Sequence, residues 1–481
     1  MTMLYSLGIA FFAAIGTFLF GFDTGIATTT IAHQSWIDYM HKPSPGLTGA
    51  VVAVYIAGEA GGALTQTFIG DKLGRIRFMQ LMCIIVTIGT VIQTASINIG
   101  MFLAGRVLAG YAVGGMVSTV PIYLSEISEP QYRGLIGGIS GCVASSSWNS
   151  DSLGVLMFIG LATFMPNSPR QLIRNGKVEE ARHEFSRIRR GANLHEVEEE
   201  FVAMQAQIEF EMEREITSYR EIFKLFRHRV LVYVSRFKFT HKTSVSIKSL
   251  IYVHRSIAVQ TMTSLTGVNV IQYYQTTLYK SLGIGSHKIL ALAGVYGTVA
   301  FCSNAITTKF MTDQWGRRKM LIAGLAGIVL IEIYAAVMQR EFQHTDNKIG
   351  KGFAILGIYL FVVCFYGMLN STTWLYGAEV LPIALRSKVM GLAAASHFIV
   401  NVAITEAGPS AFATIHENYY YVFVACSTFF LVIAYFFFPE TKQKTLEEVA
   451  ASFGDRVVIA EEDTKRMSVA GKADHVESVS A

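Results

Sequence analysis

Charge is what this chain of 481 residues has least of: 16% of it is Asp, Glu, Lys or Arg, against about 25% in an ordinary soluble domain. With 52% hydrophobic residues and a mean hydropathy of +0.40, an ordinary soluble domain is excluded. Cysteine is also sparse. Cys83, Cys142, Cys302, Cys364 and Cys426 are scattered through apolar stretches without metal-ligand spacing, so they read as small packing residues. No nucleophile with its base, no metal cluster and no phosphate-binding loop can be found. An enzyme, a cofactor, a bound metal and a nucleic-acid partner are therefore not expected. The apolar segments lack the period-2 alternation of barrel strands, which leaves helices as the way to satisfy the backbone in lipid. The first segment, MTMLYSLGIAFFAAIG, lacks the positive start of a signal peptide and stays apolar past Asp23, so it reads as a membrane span.

What the chain has instead is long apolar runs. Leu81 to Ala95, Ala354 to Leu369 and Tyr419 to Phe438 reach or approach the roughly 20 residues that cross about 30 Å of hydrocarbon. Spans are predicted over 4–27, 47–70, 78–96, 100–124, an irregular region 134–165, then 257–282, 288–311, 319–339, 353–378, 388–408 and 419–438. This divides the chain into an amino-terminal bundle (1–165), a polar linker (166–256), a carboxyl-terminal bundle (257–438) and a tail (439–481). Basic loops carry Lys72, Arg75, Arg77, Arg133, Lys309, Arg317, Arg318, Lys319, Arg386 and Lys388, which sets them, the linker and both termini in the cytoplasm by the positive-inside rule. The sequon Asn370-Ser371-Thr372 lies inside a span, out of reach of glycosylation.

The chain also repeats itself. GDKLGRIR at Gly70 to Arg77 recurs as TDQWGRRK at Thr312 to Lys319, an offset of 242; YLSEISEPQYRG at Tyr123 to Gly134 recurs as YGAEVLPIALRS at Tyr376 to Ser387, an offset of 253. Both copies of the first cassette have an acid four residues before Arg, and both copies of the second have Glu seven before Arg. A parallel two-fold repeat is the mark of a transporter built from two halves around a midplane site.

At these residues the chain resembles the sugar porters of the major facilitator superfamily, and the likeness covers nearly all of it. FGFDTG (Phe20 to Gly25), GDKLGR, AGRVLAGYAVGG (Ala104 to Gly115), PIYLSEISEPQYRG, PNSPRQLI (Pro166 to Ile173), LTGVNVIQYY (Leu265 to Tyr274), TDQWGRR, Trp374 with Glu379 and Arg386, and FPETKQKTLEEV (Phe438 to Val449) follow the family's order. The resemblance implies an all-α polytopic membrane protein of two six-helix bundles, nominally twelve helices, with a sugar site between them and alternating access.

Asp23 lies inside the first span, where a charge costs about 2.5 to 3.5 kcal/mol on insertion scales. Arg106 is its expected partner, either as a proton-coupling pair or as a static ion pair. Proton-coupled members of the family carry Asp and Arg at these positions, which implies proton symport. Asp71, Arg75, Glu126 and Arg133 in the first half, and Asp313, Arg317, Arg318, Glu379 and Arg386 in the second, should form a cytoplasmic network that gates access or fixes topology. By the resemblance Asn269, Trp374, His397 and Asn401 lie near the sugar, and Gln272, Tyr273, Tyr274 and Gln275 are further candidates, the two tyrosines reading equally as packing. Amides suit hydroxyls because they donate and accept at once, and an indole offers an apolar face with one donor.

Here the chain departs from the family. Its glutamines are replaced by Gly141, Thr263 and Ser264, and an amide by His397. Losing such partners costs several kcal/mol for a sugar built to use them, so a disaccharide, polyol, sugar acid or cyclitol competes with glucose as solute. Gly134 to Met165 supplies 32 residues, about 48 Å of helix, where two crossings need about 60 Å. The helix 5/6 hairpin is therefore expected to be truncated. Conversely, a basic insert at 232–255 precedes the seventh span. Two abrupt edges fit an altered splice or gene model. The leading expectation is a monomeric secondary transporter of a sugar-like solute with protons, in the plasma membrane; the other is a non-transporting sensor or an inactive variant.

Overall fold

The computed structural model describes residues 34–43, 45–128, 165–189, 193–212, 256–381 and 383–442, with isolated positions at 8–9, 12–13, 135–136, 444 and 449. Outside them lie Asp23, Arg133, Gly141, residues 232–255 read as an insert, and nearly all of the first span, of the region 134–165 where a truncated hairpin is expected, and of the tail; the side chain of Arg386 is also outside.

Among the described residues every regular element is helical. A short α1 (Gln34–Tyr39) precedes α2 (Pro45–Leu73), α3 (Arg75–Thr94) and α4 (Ile99–Ile127). The linker contributes α5 (Pro169–Arg174), α6 (Val178–Ile188) and α7 (Leu194–Met212). After a helical stretch over 256–265 come α8 (Val268–Ser281), α9 (Ser286–Phe310), α10 (Thr312–Trp315), α11 (Arg317–Phe342) and α12 (Lys348–Cys364). A π-helical segment, Phe365–Asn370, joins α12 to α13 (Ser371–Glu379), and α14 (Ile383–Thr414) and α15 (Tyr419–Phe437) complete the chain. Six of these stretches are long and apolar enough to cross a membrane.

Local chemistry explains the breaks. The Asn98 side chain accepts from Met101 N–H at 2.8 Å and starts α4; that of Asn347 accepts from the Ile349 and Gly350 N–H groups and starts α12. Gly74 and Gly316, at φ 91° and 93°, turn the chain sharply ahead of α3 and α11, a backbone region that strains any residue with a Cβ. In the linker Ala181 and Phe185 of α6 pack with Ile173, Val197, Phe201, Met204 and Ile208, the amphipathic pattern of a surface helix, while Ile188 packs into the amino-terminal core.

Two apolar cores follow the repeat. One is built from α2, α3 and α4; the other from the residues after 256. They meet where α14 lies along α2, and Tyr273, Ala394, Ala395 and Phe398 pack into the amino-terminal core. Cys83 and Cys364 are buried packing residues as expected, whereas Cys302 faces outward.

Candidate functional site

The repeated cassettes fold into two matching charge clusters at the basic end. In the first, Arg75 Nη1 donates to Asp71 Oδ1 at 2.7 Å and Nη2 to Glu126 Oε1 at 2.9 Å; in the second, Arg317 Nη1 donates to Asp313 at 3.1 Å and Nη2 to Glu379 at 3.3 Å. The four-residue spacing puts Asp71 one turn from Arg75, and Asp313 one turn from Arg317. Arg75, Glu126, Arg317 and Glu379 are all nearly fully buried, and each pair ties two helices of its own half. Arg318 takes a different place: it donates to the Tyr435 carbonyl at the end of α15.

The structure extends the repeat to a third piece. Ser168 donates to Glu126 Oε2 at 2.5 Å and Tyr123 to the Pro166 carbonyl at 2.7 Å; Thr441 donates to Glu379 Oε2 at 2.6 Å and Tyr376 to the Pro439 carbonyl at 3.0 Å. Gln171 Oε1 accepts from Arg75 N–H as Glu440 Oε1 does from Arg317 N–H. PNSP and PETK are thus equivalent clasps. Between the halves, Leu135 N–H donates to Asp313 Oδ2 at 2.9 Å.

The second site lies where the stretch 256–265, α8, α13 and α14 come together. His397 sits with its ring edge-on to Trp374, centroids 5.5 Å apart, and to Phe398. Its Nδ1 is 3.0 Å from the Gln260 carbonyl and 2.8 Å from Ser264 Oγ, while Ser264 donates to the His397 carbonyl at 2.7 Å. A carbonyl can only accept, so in the neutral ring the hydrogen sits on Nδ1 and Nε2 keeps an acceptor lone pair. Asn401 Oδ1 accepts from Thr405 at 2.9 Å. Its Nδ2 has no partner among the described residues, nor does Asn269 Nδ2, Gln260 Oε1 or Gln275 Oε1, and all four side chains are buried. Buried polar groups are normally satisfied. Four unmet amide atoms together are therefore what a polyhydroxylated molecule would supply.

The predicted residues thus converge only in part. Asn269, Trp374, His397 and Asn401 belong to this region. Gln272 accepts from Tyr366 at 3.3 Å, Tyr274 donates to the Thr405 carbonyl at 2.9 Å, and Tyr273 packs in the amino-terminal core. Gln260 was missing from the sequence reading, although its place one turn before Ser264 on the same helix marks it. Arg106 is 2% exposed, stacks 4.1 Å from the Tyr55 ring centroid and donates to the Val51 carbonyl at 3.3 Å.

Comparison with known proteins places this geometry. The family model for sugar (and other) transporters matches residues 9–145 and 150–453. An MFS-type transporter of Aspergillus cristatus is 27% identical, covering 99% of this chain and all of that one, and a low-affinity glucose transporter of Saccharomyces cerevisiae is 27% identical over 92% of this chain and 81% of its own. Among solved structures, the major facilitator superfamily proton:xylose symporter XylE from E. coli, bound to 6-bromo-6-deoxy-D-glucose, superposes at a TM-score of 0.78 with 19% identity, covering 94% of this chain and 100% of that one. The fold is that of the major facilitator superfamily, and the chain belongs to the sugar transporter family.

Proposed function

We propose that this protein moves a sugar, polyol or sugar acid across the membrane by proton symport with alternating access. The unmet atoms of Gln260, Asn269, Gln275 and Asn401, beside the His397 acceptor, carry the reading. Two amide donors and three acceptors match a molecule whose hydroxyls both give and take hydrogen bonds. Trp374 offers an apolar face to the ring. Asp23 and Arg106 are the proton-coupling pair, and the two charge clusters hold the cytoplasmic side shut until the halves separate. The Leu135 to Asp313 bond supports the last step, since it crosses between halves.

Uptake into vesicles tests this with a panel of mono- and disaccharides, polyols and sugar acids. Saturable, pH-dependent uptake of at least one class is expected; none, with the protein in the membrane, overturns the reading. Asp23→Asn should abolish accumulation while sparing exchange. Asn401→Val removes one hydrogen-bonding group from the solute and should raise KM about tenfold, the effect of roughly 1.4 kcal/mol. An unchanged KM would remove Asn401 from the site.

A further inference from the structure

One buried acid lies outside both sites. Glu332 is on α11, fifteen residues past Arg317 and so about 22 Å along the helix, within a hydrocarbon core of about 30 Å. It is 0% exposed, and neither carboxyl oxygen has a hydrogen-bond partner or counter-ion among the described residues. The groups that feel it electrostatically are Cys364 of α12 and Tyr420 and Cys426 of α15. The charged or titratable groups on the other elements packed on α11 include Lys348 and Lys351 of α12, Asp313, Tyr366, Glu379, His416 and Glu417; Asp313 and Glu379 pair with Arg317, Glu417 lies 3.9 Å from Arg340, and none of the described cations forms an ion pair with Glu332. The hydroxyl of Tyr420, itself buried, has no partner among the described residues either. An unpaired carboxylate here would bear the full cost of taking a charge out of water, several kcal/mol. A bound proton removes that cost and turns the group into a donor.

We propose that Glu332 is a resident proton site of the carboxyl-terminal half, held as the neutral acid. It is separate from the Asp23 and Arg106 pair, and because it is sealed from water its proton is a fixture rather than cargo. The idea does not depend on the identity of the solute. Infrared spectra of the purified full-length protein and of Glu332→Gln at neutral pH decide it. The carbonyl stretch of a neutral carboxylic acid should be present in the wild type and lost in E332Q; loss of a carboxylate band instead overturns the proposal. E332Q should keep the wild-type melting temperature and its proton-driven accumulation, in contrast to Asp23→Asn. A variant that exchanges solute but no longer accumulates it would make the proton cargo and overturn the fixture. Should E332Q not assemble, labelling of the wild type with dicyclohexylcarbodiimide, which attacks neutral acids in apolar surroundings, replaces it; an unlabelled Glu332 peptide counts against the site.

Discussion

Arg75 and Arg317 show how a buried charge is tolerated at a single position. Each guanidinium meets two carboxylates, and each inner carboxylate, Glu126 or Glu379, is held on its other oxygen by a hydroxyl, Ser168 or Thr441. Breaking one partner of such a pair is costlier than the pair is worth, because the remaining charge stays buried. Glu126→Gln should lower stability by about 3 kcal/mol, seen as a lower melting temperature in detergent. Ser168→Ala should cost about 1 kcal/mol. Equal losses would mean that the hydroxyl, not the charge, matters. The four-residue Asp/Arg spacings made the outer pairs readable from the chain, whereas the inner partners Glu126 and Glu379, 51 and 62 residues from their arginines, and the hydroxyl clasps were not, since nothing local marks them.

At the level of the helix, α2 and α4 interlock through glycine. A Cβ on Gly58 would fall 2.4 Å from the Val107 carbonyl oxygen, and on Gly110 2.1 Å from that of Tyr55; on Gly62 it would fall 1.8 Å from the Tyr111 carbonyl oxygen and on Gly114 2.0 Å from that of Glu59. In lipid, such close backbone approach replaces the hydrophobic drive that pairs helices in water. Gly62→Leu should therefore prevent assembly, measured as loss of a monodisperse purified protein, while Gly294→Leu, whose site is open, should leave it intact. The glycines of Gly110 to Gly115 are visible in the sequence, but not the helix they meet. The sequence reading did not anticipate the π-helical turn at Phe365–Asn370. That turn shifts the register ahead of Trp374, and π turns favour functional positions.

For the whole molecule, α14 and α2 approach most closely at the basic end. A Cβ on Gly391 would lie 2.1 Å from Thr67 Oγ1 and 2.7 Å from the Ala63 carbonyl oxygen. Gly391→Val should wedge the halves apart there, raising the labelling of a cysteine placed at Thr67 by an impermeant maleimide applied from the side of the basic loops; unchanged labelling would show that the contact does not restrain opening.

The chain by itself determined where the described spans run, to within a few residues, because an apolar stretch of about 20 residues obeys a local rule set by bilayer thickness. It also determined the two-half architecture and the outer Asp–Arg pairs, because both are written as short spacings that recur. Tertiary structure alone decided which polar atoms are left unmet, Gln260 and Glu332 among them, and that PNSP and PETK serve as matching clasps. Those outcomes depend on which face of one apolar helix meets another, and in a membrane one apolar face reads much like the next.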